Sequence, residues 1–298
     1  MPSHDTKVWL ITGSSRGLGR SFAEAVLAAG HRLVATARTP EQLADLVQQY
    51  GHRILPFALD VTNATAARDA VAAAVTTFGR LDVVVNNAGY ANVAPIEDMT
   101  EEDFRAQIEA NFFGVVNVTR AALPVMRRQR SGHIIQISSV GGRLGSPGLG
   151  AYQPAKWAVD GFSEVLTKEV APLGIKVTVV EPGGFRTDWA GSSMTIAPIR
   201  DDYQETVGKM AEYRKNPDVM RGDPDKAAQV LLHIASLENP PRRLLLGASA
   251  VQFARAAAAQ LAAEDEKWAA LSLSAEVDDA ITDHAVMDRL TATLTRRE

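Results

Sequence analysis

Apolar and polar positions along this chain follow two rhythms. Short apolar runs of strand length stand at residues 7–11, 32–36, 54–59 and 81–85, and apolar residues recur at helical spacing up to residue 29 and over 41–50 and 64–78. The exchange continues with a long helical pattern over 100–128, a strand at 133–138, a helix opening at Tyr152 and a strand at 176–180. A helix at 224–236 and a strand at 243–246 close it. Strands that are apolar throughout belong to a sheet buried on both faces, and the intervening helices supply the crossovers a parallel sheet needs. The pattern predicts an α/β fold built on a single doubly wound parallel sheet with helices on both faces.

Two prolines refine the helices. Pro124 lies inside 100–128 and should kink that helix or mark a break, whereas Pro154 falls in a first turn, where a missing N–H costs nothing. The segment from Asp188 to Asp225 interrupts the rhythm: it is rich in Gly, Ser, Pro and charge, with Trp189, Met194, Ile196 and Tyr203 scattered through it. Long irregular segments of this kind are often functional, and this one reads as a lid over a pocket, spanning about 185–225. Phe185 and Trp189 in it suggest a bulky or apolar substrate. Beyond residue 247 come an Ala-rich helix at 248–273 and a weaker helical pattern to 298. No composition break or repeat calls for a second domain, so the chain reads as one domain over 1–298, with a core at about 6–247 and a helical C-terminal extension.

Glycines and small polar residues gather where the first strands end. Residues 12–19 read Thr-Gly-Ser-Ser-Arg-Gly-Leu-Gly between a strand and a helix. Gly13 permits the turn, Gly17 lets the backbone approach a pyrophosphate, Gly19 allows close helix packing, and Ser15, Arg16 and Leu18 complete a phosphate-binding loop at a helix N-terminus. The second strand ends in Ala37-Arg38, where a protein selecting NAD would place an acid for the ribose hydroxyl. Arg38, flanked by Arg16, suits a 2′-phosphate instead and favours NADP(H) over NAD(H). Asp60-Val61 ends the third strand; Asp60 either accepts from an adenine amino group or caps the next helix. Asn86-Asn87-Ala88-Gly89 ends the fourth, small and polar where a cofactor would lie.

Composition narrows the chemistry. With 46% hydrophobic and 22% charged residues and a net charge of -4, the chain has material for a sizeable core and no basic surplus for nucleic acid. The absence of Cys excludes disulfides and thiol catalysis, and the six His residues show no metal-ligand spacing, so no metal is expected. No apolar run is long enough for a bilayer and no basic-then-apolar leader opens the chain, so a cytoplasmic protein without membrane contact is expected.

The most specific chemistry lies between Ser139 and Lys156. Tyr152 and Lys156 are four residues apart and share a helix face, and Ser139 arrives from the end of the preceding strand. A phenol with its ordinary pKa of about 10 is a sluggish acid at neutral pH. A nearby ammonium favours the phenolate and lowers that value, and a serine hydroxyl can hold a carbonyl oxygen where the phenol exchanges a proton with it. Asn111, between Ile108, Phe112 and Phe113, reads by itself as a buried Asn satisfied by backbone or by a water that also reaches Lys156.

Taken in order, residues 12–19, Asp60-Val61, residues 86–89, Asn111, Ser139, Tyr152-x-x-x-Lys156 and Pro182-Gly183 with Thr187 resemble the short-chain dehydrogenase/reductase family in its non-extended branch. Ala37-Arg38, Tyr90 and residues 181–187 are most similar to its 17β-hydroxysteroid-dehydrogenase-like group. The resemblance implies a Rossmann-like sheet in the order 3-2-1-4-5-6-7 and a catalytic tetrad of Asn111, Ser139, Tyr152 and Lys156. It recasts Asn111 as a helix kink whose carbonyl holds a water near Lys156. It also implies that Lys156 holds the nicotinamide ribose and Thr187 the carboxamide end, with Pro182 and Gly183 beside them. Gln153-Pro154 departs from the small residues usual between Tyr and Lys.

The expected function is NADP(H)-dependent reduction of a ketone or aldehyde to an alcohol, reversible, with the proton from Tyr152 and the substrate between Ser139, Tyr152, Phe185 and Trp189. A homo-oligomer, dimer or tetramer, is expected from the long exposed helices. The rival readings are a nucleotide-sensing protein on the same fold, an NAD(H)-dependent alcohol dehydrogenase, and a sugar-nucleotide epimerase or dehydratase built on the same Tyr and Lys.

Overall fold

A computed structural model describes residues 6–187, 194–216 and 219–275, together with 288, 291 and 292. The chain forms two compact units, Met1–Arg255 and Ala256–Glu298. All seven strands lie in the first, in the order β3-β2-β1-β4-β5-β6-β7, every pair parallel. They are β1 Val8–Ile11, β2 Arg32–Ala37, β3 Ile54–Ala58, β4 Val83–Asn86, β5 Gly132–Ile137, β6 Ile175–Pro182 and β7 Arg243–Leu246.

Alternation along each strand sorts its side chains between two cores. Trp9 and Ile11 of β1 face one core with helices α1 (Gly17–Ala28), α2 (Ala44–Tyr50) and α8 (Pro224–Ser236). Val8 and Leu10 face the other with α3 (Ala64–Phe78), α5 (Gly114–Gln129) and α6 (Tyr152–Val170). The chain crosses from one face to the other between β3 and β4, so the order reverses at β1 and β4 and leaves a crevice beyond their C-terminal ends. The glycine turn and residues 86–89 both open there.

The helices begin where their sequence marks them. Asn63 caps α3, its Oδ1 accepting from the backbone of Thr65 and Ala66. Thr100 does the same for α4 (Glu101–Ile108), with acids filling the first turn, and Asp223 for α8, followed by Pro224. The long pattern over 100–128 is not one helix. After α4 a π-helical turn at Glu109–Phe113 holds Asn111, and α5 then runs through Pro124 unbroken. Pro124 is exposed, so water can bond the carbonyl that its missing N–H leaves free. Pro154 sits in the first turn of α6 as expected, and Gln153-Pro154 does not delay the helix start at Tyr152.

Between β6 and α8 the described segment folds as a π-helical turn at Gln204–Gly208 and helix α7 (Lys209–Lys215). The last helix, α9 (Ala248–Leu273), crosses the boundary between the two units. No helix among the described residues is long and apolar enough to cross a membrane.

Candidate active site

The glycine turn is tied to β4 by side chains that its own sequence supplies. The Thr12 hydroxyl accepts from the backbone N–H groups of Asn87 and Ala88, both at 2.9 Å. Asn87 Nδ2 donates to the carbonyls of Thr12 at 2.9 Å and Gly13 at 3.2 Å. Gly13 and Gly17 take φ of 69° and 56°, a region that favours glycine, and a Cβ on Gly19 would collide with the Gly13 carbonyl. The turn therefore brings bare main chain to the crevice. Thr187, from the loop after β6, faces Gly17 across it.

Around this turn the charges sort into paired and free. Arg20 is paired with Glu24 and Asp45. Arg16 and Arg38 are exposed and have no ion pair among the described residues, and Ala37 is buried at the strand end. Asp60 accepts from the backbone and hydroxyl of Thr62, while the helix cap belongs to Asn63. Neighbouring Val61 is buried, and its carbonyl accepts from Asn117.

Ser139, Tyr152 and Lys156 meet at the end of β5. The Ser139 hydroxyl accepts from Gly141 N at 3.0 Å and acts on the neighbouring Tyr152 phenol, favouring its ionised form. Lys156 Nζ donates to the Ile137 carbonyl at 3.0 Å and stands 5.5 Å from the Tyr152 ring centre. Both residues of α6 are buried. Burial pushes the Tyr152 phenol up to about 12, against the influence of the Ser139 hydroxyl, and brings the Lys156 ammonium down to about 8, against the charge of Asp160. The ammonium was expected to lower the phenol; desolvation of the phenolate outweighs it. A phenol that holds its proton is set up as a donor.

Asn111 completes the group from the π-helical turn. Its Nδ2 donates to the carbonyls of Tyr90 and Gln107, each at 2.8 Å, and its Oδ1 is buried without a partner. A Cβ on Gly89 would run into that Oδ1 and come within 3.5 Å of Lys156 Nζ, so glycine at this position lets Asn111 and Lys156 converge.

Behind the pair lies a buried charge cluster that motif reading missed. Arg143, four residues after Ser139, grips the fully buried Glu181 with Nε on Oε1 at 2.7 Å and Nη2 on Oε2 at 2.5 Å. Arg243 of β7 reaches Asp160 at 3.2 Å and Glu181 at 3.3 Å. Arg143 and Glu181 stand 38 positions apart, and only the fold brings them together. Gln153, the departure from the family pattern, pins the loop after β5: its Oε1 accepts from Ser146 N at 2.6 Å and its Nε2 donates to Ser146 Oγ at 3.3 Å.

Over Tyr152 sits an apolar cluster of Ala91, Val93, Leu149, Val207 and Ala211, flanked by Met194, Ile196, Ile199 and Tyr203. Phe185 is not part of it. Its ring packs against Gly222 and Gly247 in the α1 and α8 core, because its backbone pairs with Gly222 and turns the side chain inward. Trp189 lies outside the described residues. Pro182 ends β6; Gly183 N donates to the Leu246 carbonyl and Gly184 N to Ser249 Oγ, a partner with no sequence signal. No metal-holding cluster of His, Cys, Asp or Glu occurs among the described residues.

Known proteins share this arrangement. Residues 7–195 match the short chain dehydrogenase family. The chain is 55% identical over 271 residues to the oxidoreductase BOA17 of Botryotinia fuckeliana, covering 90% of this chain and 99% of that protein. A crystal structure of a short-chain dehydrogenase from Streptomyces avermitilis is 40% identical, with a TM-score of 0.87 over 92% of this chain and all of that one. A short chain dehydrogenase from Burkholderia cenocepacia, crystallised with NADP, is 27% identical with a TM-score of 0.69, covering 88% of this chain and 97% of that one. Sheet order, glycine turn and the Ser, Tyr and Lys group thus agree with the match across most of the first unit, and the chain belongs to the short-chain dehydrogenase family of oxidoreductases.

Proposed function

We propose that this protein interconverts a ketone or aldehyde and its alcohol, using NADP(H) in preference to NAD(H). The observation that carries the reading is the group of half-buried Ser139 with buried Tyr152 and Lys156, at the same sheet edge as the glycine turn. The residues present fit a dinucleotide. Bare main chain at Gly13, Gly17 and Gly19, with Ser15 and Leu18, suits a pyrophosphate, and the exposed, unpaired Arg16 and Arg38 suit a 2′-phosphate. Asp60 and Val61 would hold the adenine end, with Asn87, Ala88 and Gly89 beneath the ribose. Lys156 would hold the nicotinamide ribose, and Pro182, Gly183 and Thr187 the carboxamide. When bound, the reduced nicotinamide supplies a hydride from C4.

The chain's own residues do the rest. Ser139 orients the carbonyl oxygen, and Tyr152 keeps its proton until that oxygen takes it. Lys156 and Asn111, which converge at Gly89, return a proton to Tyr152. The apolar cluster over Tyr152 favours a bulky apolar substrate. Exposed Phe113, Trp157 and Val165 support a homo-oligomer, dimer or tetramer, which light scattering would detect.

The test is loss of NADPH absorbance, with NADH in parallel, against ketones, aldehydes, quinones and steroid ketones. Tyr152→Phe should lower turnover by about 10²–10⁴ while NADPH still binds; unchanged turnover would sink the mechanism. Arg38→Asp should weaken NADPH far more than NADH, and an unmoved cofactor ratio would remove the 2′-phosphate role.

A further inference from the structure

Helix α7 carries one charge that the proposed mechanism does not use. Arg214 is only 9% exposed, and its Nη1 donates to the Pro147 carbonyl at 3.3 Å. No other hydrogen bond or ion pair engages it among the described residues. The other cations of the helix are matched, Lys209 with Glu205 and Lys215 with Glu212. Burial brings the Arg214 guanidinium down to about 10, with no acid among the described residues opposing it, so it stays charged at neutral pH.

Its position relates it to the site. Val207, Ala211 and Arg214 follow one another at intervals of four and three, along one helical face. Val207 and Ala211 belong to the apolar cluster that includes Tyr152. A Cβ on Gly148 would touch Val93 and Val207 and come within 3.9 Å of Arg214 Nη1, so the guanidinium stands beside the cluster's wall. A buried guanidinium without a counter-charge costs free energy, and a carboxylate, which matches its planar fork with two parallel bonds, restores it. A single guanidinium, on which no second cation acts among the described residues, suits a carboxylate better than a doubly charged phosphate.

We propose that Arg214 is a specificity-determining residue that pairs with a carboxylate on the substrate, so that the preferred substrates are keto acids with an apolar segment between carbonyl and carboxylate. The inference rests on the carbonyl-reducing reading above. The carbonyl lies at Ser139 and Tyr152, the apolar segment against Val93, Leu149, Val207 and Ala211, and the carboxylate at Arg214.

The experiment uses the full chain with NADPH and a series of methyl ketones of increasing chain length ending in a carboxylate, each beside its methyl ester. For at least one length the acid should exceed its ester in kcat/KM by about tenfold, a difference of about 1.4 kcal/mol. Arg214→Gln should erase that ratio through KM, and Arg214→Lys should restore part of it. Equal rates for every acid and ester in the parent protein, or a ratio that survives in Arg214→Gln, overturns the proposal. If no ketone of either kind is reduced, the reductase reading fails by itself. Thermal shift of the NADPH complex then decides: stabilisation by the acids in the parent but not in Arg214→Gln supports the anion site, and its absence overturns it.

Discussion

Two regions flank the catalytic tyrosine, and they treat buried charge in opposite ways. Below α6, Glu181 and Asp160 are matched by Arg143 and Arg243, in a cluster that joins the loop after β5 to the end of β6 and to β7. Above Tyr152, Arg214 is buried to a similar degree and meets no carboxylate among the described residues. A buried charge matched within the chain is architecture: it holds Ser139's loop against the strand that leads into Pro182-Gly183. One left unmatched is a vacancy in charge terms, which an outside group can fill. The two arrangements predict different responses to removing a charge.

The largest effect is expected below α6. Glu181→Gln leaves Arg143 and Arg243, each about a third exposed, facing a neutral amide, and losing charge-assisted bonds of this kind costs about 1.5–3 kcal/mol. Denaturant unfolding should show the midpoint fall by that equivalent. A loss under 1 kcal/mol would mean that the pair is no more than a contact.

Asp160 sharpens the contrast through pH. Burial pushes its carboxyl up to about 7; the neighbouring Glu181 also raises it, while the Ser138 hydroxyl and Arg243 lower it. Because the folded value lies above the unfolded one, the native state holds a proton that the unfolded chain has released between about pH 4 and 7. That contribution is full below about pH 4 and is lost as pH rises through 7. Asp160→Asn should therefore melt at or above the parent at pH 8, by about 2–4 °C if the difference is near 1 kcal/mol, with a flatter Tm profile between pH 4 and 7. A variant that melts lower by the same amount at every pH would show that packing, not proton linkage, governs the site.

Arg214 tests the other arm. Arg214→Met removes a buried cation that has only a carbonyl to lose, so stability should change by no more than about 1 kcal/mol, in either direction. A loss as large as that of Glu181→Gln would place Arg214 among the architectural charges.

The parallel sheet and the Ser, Tyr and Lys group were legible in the sequence, because each depends on spacing within one element or on the alternation of elements, whereas the strand order came only through the family resemblance. The residues 224–236 and 243–246 stand as read, while the cap offered for Asp60 falls to Asn63. What failed to show depends on where distant residues meet. Nothing near Arg143 in the chain points to Glu181, and Thr12 opened the glycine turn with no sign that its hydroxyl binds Asn87 and Ala88. The family resemblance alone implied a kink at Asn111; the residues hid the π-helical turn inside a continuous helical pattern, since one extra residue per turn barely changes periodicity, and Pro124 drew the expected break to the wrong place. Phe185 was read as a substrate contact from its place in a loop, but a loop residue can turn inward, and this one packs in the core.

The smallest effect isolates which of the two variables, burial or pairing, matters. Arg105 and Glu101 form a well-made pair on α4, with Nε at 2.9 Å and Nη2 at 2.8 Å from the same carboxylate oxygen, but both side chains are 74% exposed. Water screens the attraction and already solvates each group, so Arg105→Ala should change stability by only about 0.3–0.5 kcal/mol. Glu181 is buried and paired, Arg214 buried and unpaired, Arg105 exposed and paired; if only the first is costly to disturb, neither burial nor pairing alone accounts for it. A loss near 2 kcal/mol at Arg105, read in the same denaturant titration, would put the weight on pairing, and the buried cluster would then differ from the surface in degree rather than in kind.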